Sequence, residues 1–151
     1  IFARCLTFPM PVIAAIGGHA FGDGALLACA CDFRFMRSDR GFFCFPEVDL
    51  GIPFLPGMLA VVRTAFPDWK LDHMMLTGHR AGGAELAEAR VVVQACEGPE
   101  ALMEAALAFA RTFDKGRGVF RVLKERRNRE TLAVFETLDP PVIDGLKLMV
   151  K

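Results

Sequence analysis

Two segments of this chain combine residue types that can move protons or hold negative charge. The first is Glu47, which follows Pro46 and stands on a breaker-rich segment, 47–56, bordered by Phe42, Phe43, Phe45, Ile52 and Phe54. Apolar neighbours take water from a carboxylate, and desolvation raises its pKa toward the range useful for proton abstraction. Asp49, two residues on, is an acid that needs no such role, so position alone does not single out Glu47. The second segment is the run Gly17, Gly18, Gly22 and Gly24, which permits a tight turn and close backbone approach, followed by a small-residue stretch to Cys31 that fits a buried helix. A turn opening a helix aims free N–H groups and the positive end of the helix dipole at one point, where an anion is stabilised. Such a turn is also an ordinary tight connection. His19, His73 and His79 have neither metal-ligand spacing nor a nucleophile elbow around them.

The elements that must position these residues follow from the pattern along the chain. Residues 1–8 resemble the last turns of a helix running into Pro9. Residues 9–16 form a short apolar, β-branched run suited to a buried strand of an α/β sheet. Residues 32–37 alternate as a half-buried strand does, 38–41 form a turn, and 42–45 make a second short strand, giving a β-hairpin. Residues 47–56 are expected as a loop. Helices are expected over 58–66, over 68–76 with Asp68 as N-cap, and over 82–90. The stretch 91–96 is strand-like. An amphipathic helix follows over 99–113, then one basic helix from Val119 to about Phe135, then a last helix over 142–150 with Lys147 and Lys151 at its C-terminal end. The class is α/β, helical at the back, with 1–97 as the core and 98–151 as a helical C-terminal region.

Composition bounds the rest. Hydrophobic residues are 53% and charged residues 24% of the 151, which fits a globular domain. Eighteen basic residues balance eighteen acidic ones, so the whole chain has no general attraction to nucleic acid or to an anionic membrane. No apolar run reaches the length of a membrane helix, and a soluble protein is expected. Cys5, Cys29, Cys31, Cys44 and Cys96 show no CxxC or zinc spacing and are expected as reduced thiols, which fits a cytoplasmic or organelle-matrix location. Arg117, Arg121, Lys124, Arg126, Arg127 and Arg129 form one basic cluster, either a solvated face or a contact for phosphate groups or a partner subunit.

The segments 15–34 and 45–53 together resemble the signature of the enoyl-CoA hydratase/isomerase (crotonase) family: a turn of the form G-x-A-x-G-x-G, a small-residue helix ending in C-D, then P-E-x-x-x-G. The resemblance is strong over 9–56 and loose beyond. It implies a crotonase-like spiral of β-β-α units, incomplete at the N-terminus, with helices at the C-terminal end used in trimers or hexamers. It implies an acyl-CoA thioester as substrate, no separate cofactor and no metal. Loss of the α-proton turns the thioester carbonyl into an enolate, which backbone N–H groups must meet. By place in the motif, Asp23 supplies that N–H, with Gly22 and Gly24 beside it, and Glu47 is the catalytic carboxylate. Phe21, Leu26, Phe45, Pro53 and Leu55 then fall at substrate-contacting positions, and Lys124 and Arg127 are the candidates for CoA phosphates. Asp23 departs from the small neutral residue usual in the family.

The same resemblance separates reactions. Family hydratases use two glutamates on water, and the first would stand where this chain has Leu26. Dienoyl-CoA isomerases carry another acid where it has Leu55. A single base suffices for Δ3-Δ2-enoyl-CoA isomerisation, the reaction of fatty-acid β-oxidation that the wording of 47–53 resembles, with peroxisomal or mitochondrial matrix as locations in a eukaryote. A non-catalytic crotonase-like scaffold and a 2-enoyl-CoA hydratase are the alternatives. The family's N-terminal half, with the second oxyanion N–H, is expected outside this chain.

Overall fold

A computed structural model describes residues 1–145. Helix α1 (Phe2–Thr7) leads past Pro9 and Pro11 into strand β1 (Ile13–Ile16), then β2 (Ala20–Phe21), helix α2 (Asp23–Ala30), β3 (Phe33–Arg37) and β4 (Phe43–Cys44). Helices α3 (Glu47–Leu50), α4 (Pro56–Arg63), α5 (Asp68–Thr77) and α6 (Gly83–Glu88) come next, followed by β5 (Gln94–Cys96) and α7 (Gly98–Ala110). The described chain closes with α8 (Arg117–Arg127), α9 (Arg129–Thr137) and α10 (Asp139–Asp144). Strands β1, β3 and β5 form one parallel sheet in the order β1-β3-β5, and β2 and β4 form a second, also parallel. The α/β class with a helical C-terminal region is therefore observed.

The expected hairpin is absent because β3 and β4 lie in different sheets. Gly41 makes the transfer possible: at φ +89° it passes so close to Gly18 that a Cβ there would stand 2.2 Å from the Gly18 carbonyl oxygen. Strand β4 is then held from two sides, parallel to β2 and through an antiparallel bridge in which the Phe43 and Ala81 backbones exchange bonds of 2.8 and 3.0 Å.

Strand β3 is not half-buried. Arg34, Phe35 and Met36 are consecutively buried, as a central strand covered on both faces requires. The Arg34 guanidinium donates to the carbonyls of Val91, Ala28 and Cys31 at 2.9, 3.2 and 2.7 Å, so an inward-facing charge is satisfied by helix and loop oxygens. One core joins α2 with Met36, Phe43, Phe45, Val61, Phe66 and Met74. A smaller one sets Phe35 and Cys96 against Leu102 and Ala106 of α7, which lies on the sheet from the point where the C-terminal region was expected to begin.

Other boundaries moved for local reasons. Residues 47–50 form a helical turn where a loop was expected. Pro67, not Asp68, is the N-cap of α5, and no side chain caps it. The single basic helix is two, broken at Asn128, whose buried side chain donates to the Leu6 carbonyl at 2.8 Å. Most of the helix expected over 142–150, with Lys147 and Lys151, lies outside the described residues. Cys29, Cys44 and Cys96 are buried and Cys5 and Cys31 half-buried, all as free thiols. Among the described residues no helix is long and apolar enough to cross a membrane.

Lys124 fastens α8 to this core. Its side chain is 7% exposed, its ammonium donates to the Cys5 and Met10 carbonyls at 2.9 and 3.2 Å, and it pairs with Asp32, which in turn accepts the Val12 N–H at 2.7 Å. Removing one partner of a buried pair strands the other. Lys124→Ala is expected to destabilise the chain by about 3–5 kcal/mol, measured by denaturant unfolding, and a loss under 1 kcal/mol would contradict the fastening role.

Candidate active site

Glu47 is the first residue of α3, and the geometry of that single turn decides where its side chain goes. Pro46 accepts from the Asp49 and Leu50 N–H groups at 3.0 and 3.1 Å, and Gly51 ends the turn in the left-handed conformation at φ +67°. The turn sends Glu47 inward and Asp49 outward against Gly78, where a Cβ would stand 2.5 Å from the Asp49 carboxylate. Glu47 retains 9% of its surface, and its Oε2 has no hydrogen-bond partner. Burial therefore pushes the Glu47 carboxyl above the usual glutamate range, its own backbone N–H opposes the shift, and the nearby Asp23 charge adds to it.

Across from it stands the start of α2. Gly22 caps that helix at φ +53°, a conformation that favours glycine, and a Cβ there would meet the Pro46 ring at 4.0 Å. The Gly22 N–H donates to the Cys44 carbonyl at 3.2 Å, continuing the ladder of β2 with β4. Gly22 therefore leaves the set of expected oxyanion donors, and its part is conformational. The N–H groups of Asp23, Gly24 and Ala25 open the helix, and no acceptor among the described residues receives them. This is the arrangement an oxyanion needs: unused amides, a helix N-terminus and a desolvated carboxylate one short strand away.

An apolar cavity of about 430 Å³ opens at Glu47, lined among others by Val48, Ile52, Pro53, Phe54, Met75 and Leu76. Pro53, expected at a substrate-contacting position, is among the residues lining this cavity. Leu26 and Phe45 do not line it: both have no exposed surface, Leu26 inside α2's packing and Phe45 between Phe43, Phe54 and Phe66. Phe21 is 44% exposed on β2, and Leu55 is half-buried as the N-cap of α4; neither lines this cavity. Met75 and Leu76 were missed. Leu76 is 66% exposed, an apolar residue turned outward on a helix where periodicity predicts a polar one, and that mismatch was its only signal.

Lys124 is withdrawn as a phosphate contact, since its ammonium is buried and paired. Arg127 stays exposed, 3.9 Å from Asp32, and borders an open cleft with Arg126 and Arg129. The His79 Nε2–H donates to the Glu85 carboxylate at 2.8 Å beside Lys70, with the His73 ring 4.6 Å away, and His19 packs on Phe42. Among the described residues no group of three or more metal-binding side chains occurs.

The match to known proteins agrees with this geometry. The family model described as enoyl-CoA hydratase/isomerase matches residues 1–137. The chain belongs to that family. Enoyl-CoA delta isomerase 3 of Arabidopsis thaliana is 34% identical over 110 residues, covering 72% of this chain and 46% of that protein. The peroxisomal enoyl-CoA delta isomerase 2 of the same plant is 37% identical over 86 residues, 56% of this chain and 36% of that protein. The chain thus spans less than half the length of these curated relatives. An enoyl-CoA hydratase crystal structure from Mycobacterium ulcerans Agy99 superposes with a TM-score of 0.82 at 23% identity, covering 97% of this chain and 62% of that one. At that identity the likeness establishes the fold, which is the crotonase fold.

Buried with one oxygen lacking a partner, Glu47 costs the family fold stability in its ionised form. Its pKa is raised on folding, so the penalty is absent below the ordinary glutamate range, where the carboxyl is protonated in both states, and is complete above its folded pKa. Glu47→Gln is expected to raise the thermal midpoint by about 3 °C at pH 8, with the gain vanishing near pH 4. Equal midpoints at both pH values would show that the side chain is hydrated.

Proposed function

We propose that this chain carries the acid–base centre of an enoyl-CoA isomerase that shifts the double bond of a 3-enoyl-CoA to the 2-position. The observation that carries the reading is Glu47: one desolvated carboxylate with an unpartnered oxygen, beside the free amides of a helix start, with a leucine packed into the core at position 26. In this reading the carboxylate takes a proton from C2, the electrons move toward the thioester oxygen, and the Asp23 and Gly24 amides meet the charge that gathers there. The same carboxyl returns the proton at C4. Water addition would call for a second carboxylate on the water, and position 26 supplies none.

The apolar cavity beside Glu47 suits an acyl chain, and Arg127 remains the candidate for a CoA phosphate. The acyl-CoA is then substrate, with no further cofactor or metal in the scheme. A trimer or hexamer, and a cytoplasmic, peroxisomal or mitochondrial-matrix site of action within fatty-acid β-oxidation, belong to the same proposal; the names of the plant relatives favour isomerisation and, for one of them, the peroxisome.

The test is kinetic. In the full-length gene product Glu47→Gln is expected to slow isomerisation of a 3-enoyl-CoA by roughly 10²–10⁴-fold. Isomerisation at the wild-type rate in that variant removes Glu47 from the mechanism, and hydration of a 2-enoyl-CoA faster than isomerisation by the unaltered protein replaces the reading with a hydratase.

A further inference from the structure

The apolar cavity at Glu47 has a neighbour. A second cavity of about 440 Å³ lies along α4 and α5, lined by Leu59 and Arg63 of the first helix and by Asp68, Leu71, Asp72 and Met75 of the second. The spacing explains the set. Positions 59 and 63 are about one helical turn apart, and 68, 71, 72 and 75 follow one another at helical spacing, so each helix turns a single stripe to the groove. Two members of the set, Leu59 and Met75, also line the cavity at Glu47. Both are half-buried and packed against the main core.

The chemistry differs on the two sides of this pair. Glu47 apart, every side chain lining the first cavity is apolar. In the second, Arg63, Asp68 and Asp72 are exposed and form no ion pair among the described residues. An alkyl chain entering the first cavity leaves water, which favours binding by roughly fourfold for each methylene buried. An alkyl end pushed into the second takes water from three charged groups, which opposes binding. Along α5 the apolar end of the groove at Met75 stands about 10 Å from its charged end at Asp68, given the rise of an α-helix. A methionine there is suited to closing an irregular gap, since its unbranched side chain adapts to what it meets.

We propose that Leu59 and Met75 are the end wall of the acyl site and set the length of acyl chain this protein accepts: a straight, apolar chain whose tail stops at that wall and does not pass into the charged groove. The inference rests on the isomerase reading above, which makes the cavity at Glu47 the place of the acyl chain. The proton transfer is untouched by it. Leu59 and Met75 meet the tail, away from the carbons that exchange the proton, so they decide which chain is held and leave the acid–base step to Glu47. A chain one methylene too long has no apolar space left to fill, and a closed apolar site discriminates at that point by about tenfold or more.

The experiment uses the full-length wild type, Met75→Ala, Leu59→Ala and Met75→Leu. It measures kcat/KM on trans-3-enoyl-CoAs of even chain length from hexenoyl to hexadecenoyl, and the Kd of the matching saturated acyl-CoAs by calorimetry. In the wild type both are expected to improve with each added methylene and then to stop at one length. In Met75→Ala the stop is expected at the next even length or beyond, with the preference for that chain over the one before it rising by roughly tenfold. Leu59→Ala is expected to move the stop in the same direction, and it carries the test should Met75→Ala fail to fold. Met75→Leu, similar in volume, is expected to keep the wild-type stop. Each preference is a ratio within one protein, so a variant that merely folds less well leaves it unchanged. An unbroken rise to hexadecenoyl in the wild type, or one stopping length shared by the wild type and both alanine variants, overturns the inference alone if isomerisation is lost in Glu47→Gln. A stop that moves in the saturated series while Glu47→Gln isomerises at the wild-type rate overturns the isomerase reading and leaves the wall in place.

Discussion

The site depends on two pairs of residues in parallel register, Ala20 with Phe43 and Phe21 with Cys44. Strands this short are not stable alone, and this pair is held by what surrounds it. Gly41 must press against Gly18 to bring the chain across, Ala81 must close the far edge of β4, and the Phe43 ring must pack against Phe45 and Phe66. With those in place, the continuation of one strand is the start of α2 and the continuation of the other is Pro46 and Glu47. A one-residue slip would exchange the faces of β4 and turn Phe43 out of the core, so the same burial that stabilises the strand also fixes which amides face which carboxylate.

The price of the arrangement is local. Most polar groups in the interior are satisfied: Arg34 reaches three carbonyls, Lys124 two carbonyls and a carboxylate, Asn128 a carbonyl. Glu47 Oε2 is the side-chain oxygen or nitrogen that breaks the rule among the described residues. Folded chains tolerate such exceptions where chemistry needs them, and the contrast with Arg34 is instructive because both residues are charged, buried and next to a strand. One is neutralised as a structural group and the other is left able to accept a proton.

Much of this was legible in the sequence, and the limits have physical causes. The apolar run before Gly17, the small residues after Gly24 and the helical spacing of 99–113 each specify an element through local pattern, and each element is present. The hairpin was wrong because local alternation says nothing of which sheet a strand joins; only the contact between Gly41 and Gly18, 23 positions apart, decides it. The alternation of 32–37 misled because Arg34 counts as polar in a pattern but is buried through partners brought from 91, 28 and 31. At the site, Glu47 and the turn at Asp23 were identified through the family motif. The cavity wall at Met75 and Leu76 was not, because Met75 packs partly on the core like any helix residue and Leu76 differs only by facing outward where a polar residue is usual.

The unsatisfied oxygen bears on more than basicity. A carboxylate tied by two or three hydrogen bonds would hold its charge well and its proton poorly, and it would also be confined to one orientation. Glu47 has neither restraint at Oε2, although its backbone is fixed by Pro46 on one side and Gly51 on the other. In a one-base reaction the proton leaves one carbon and must be delivered two bonds further along the same chain. A base on a rigid turn meets the first demand, because the turn keeps it on one face of the substrate, and the oxygen left without a partner is the one open to accept the proton. In the proposed one-base scheme Glu47 works without a second carboxylate, and position 26 is a leucine packed into the core.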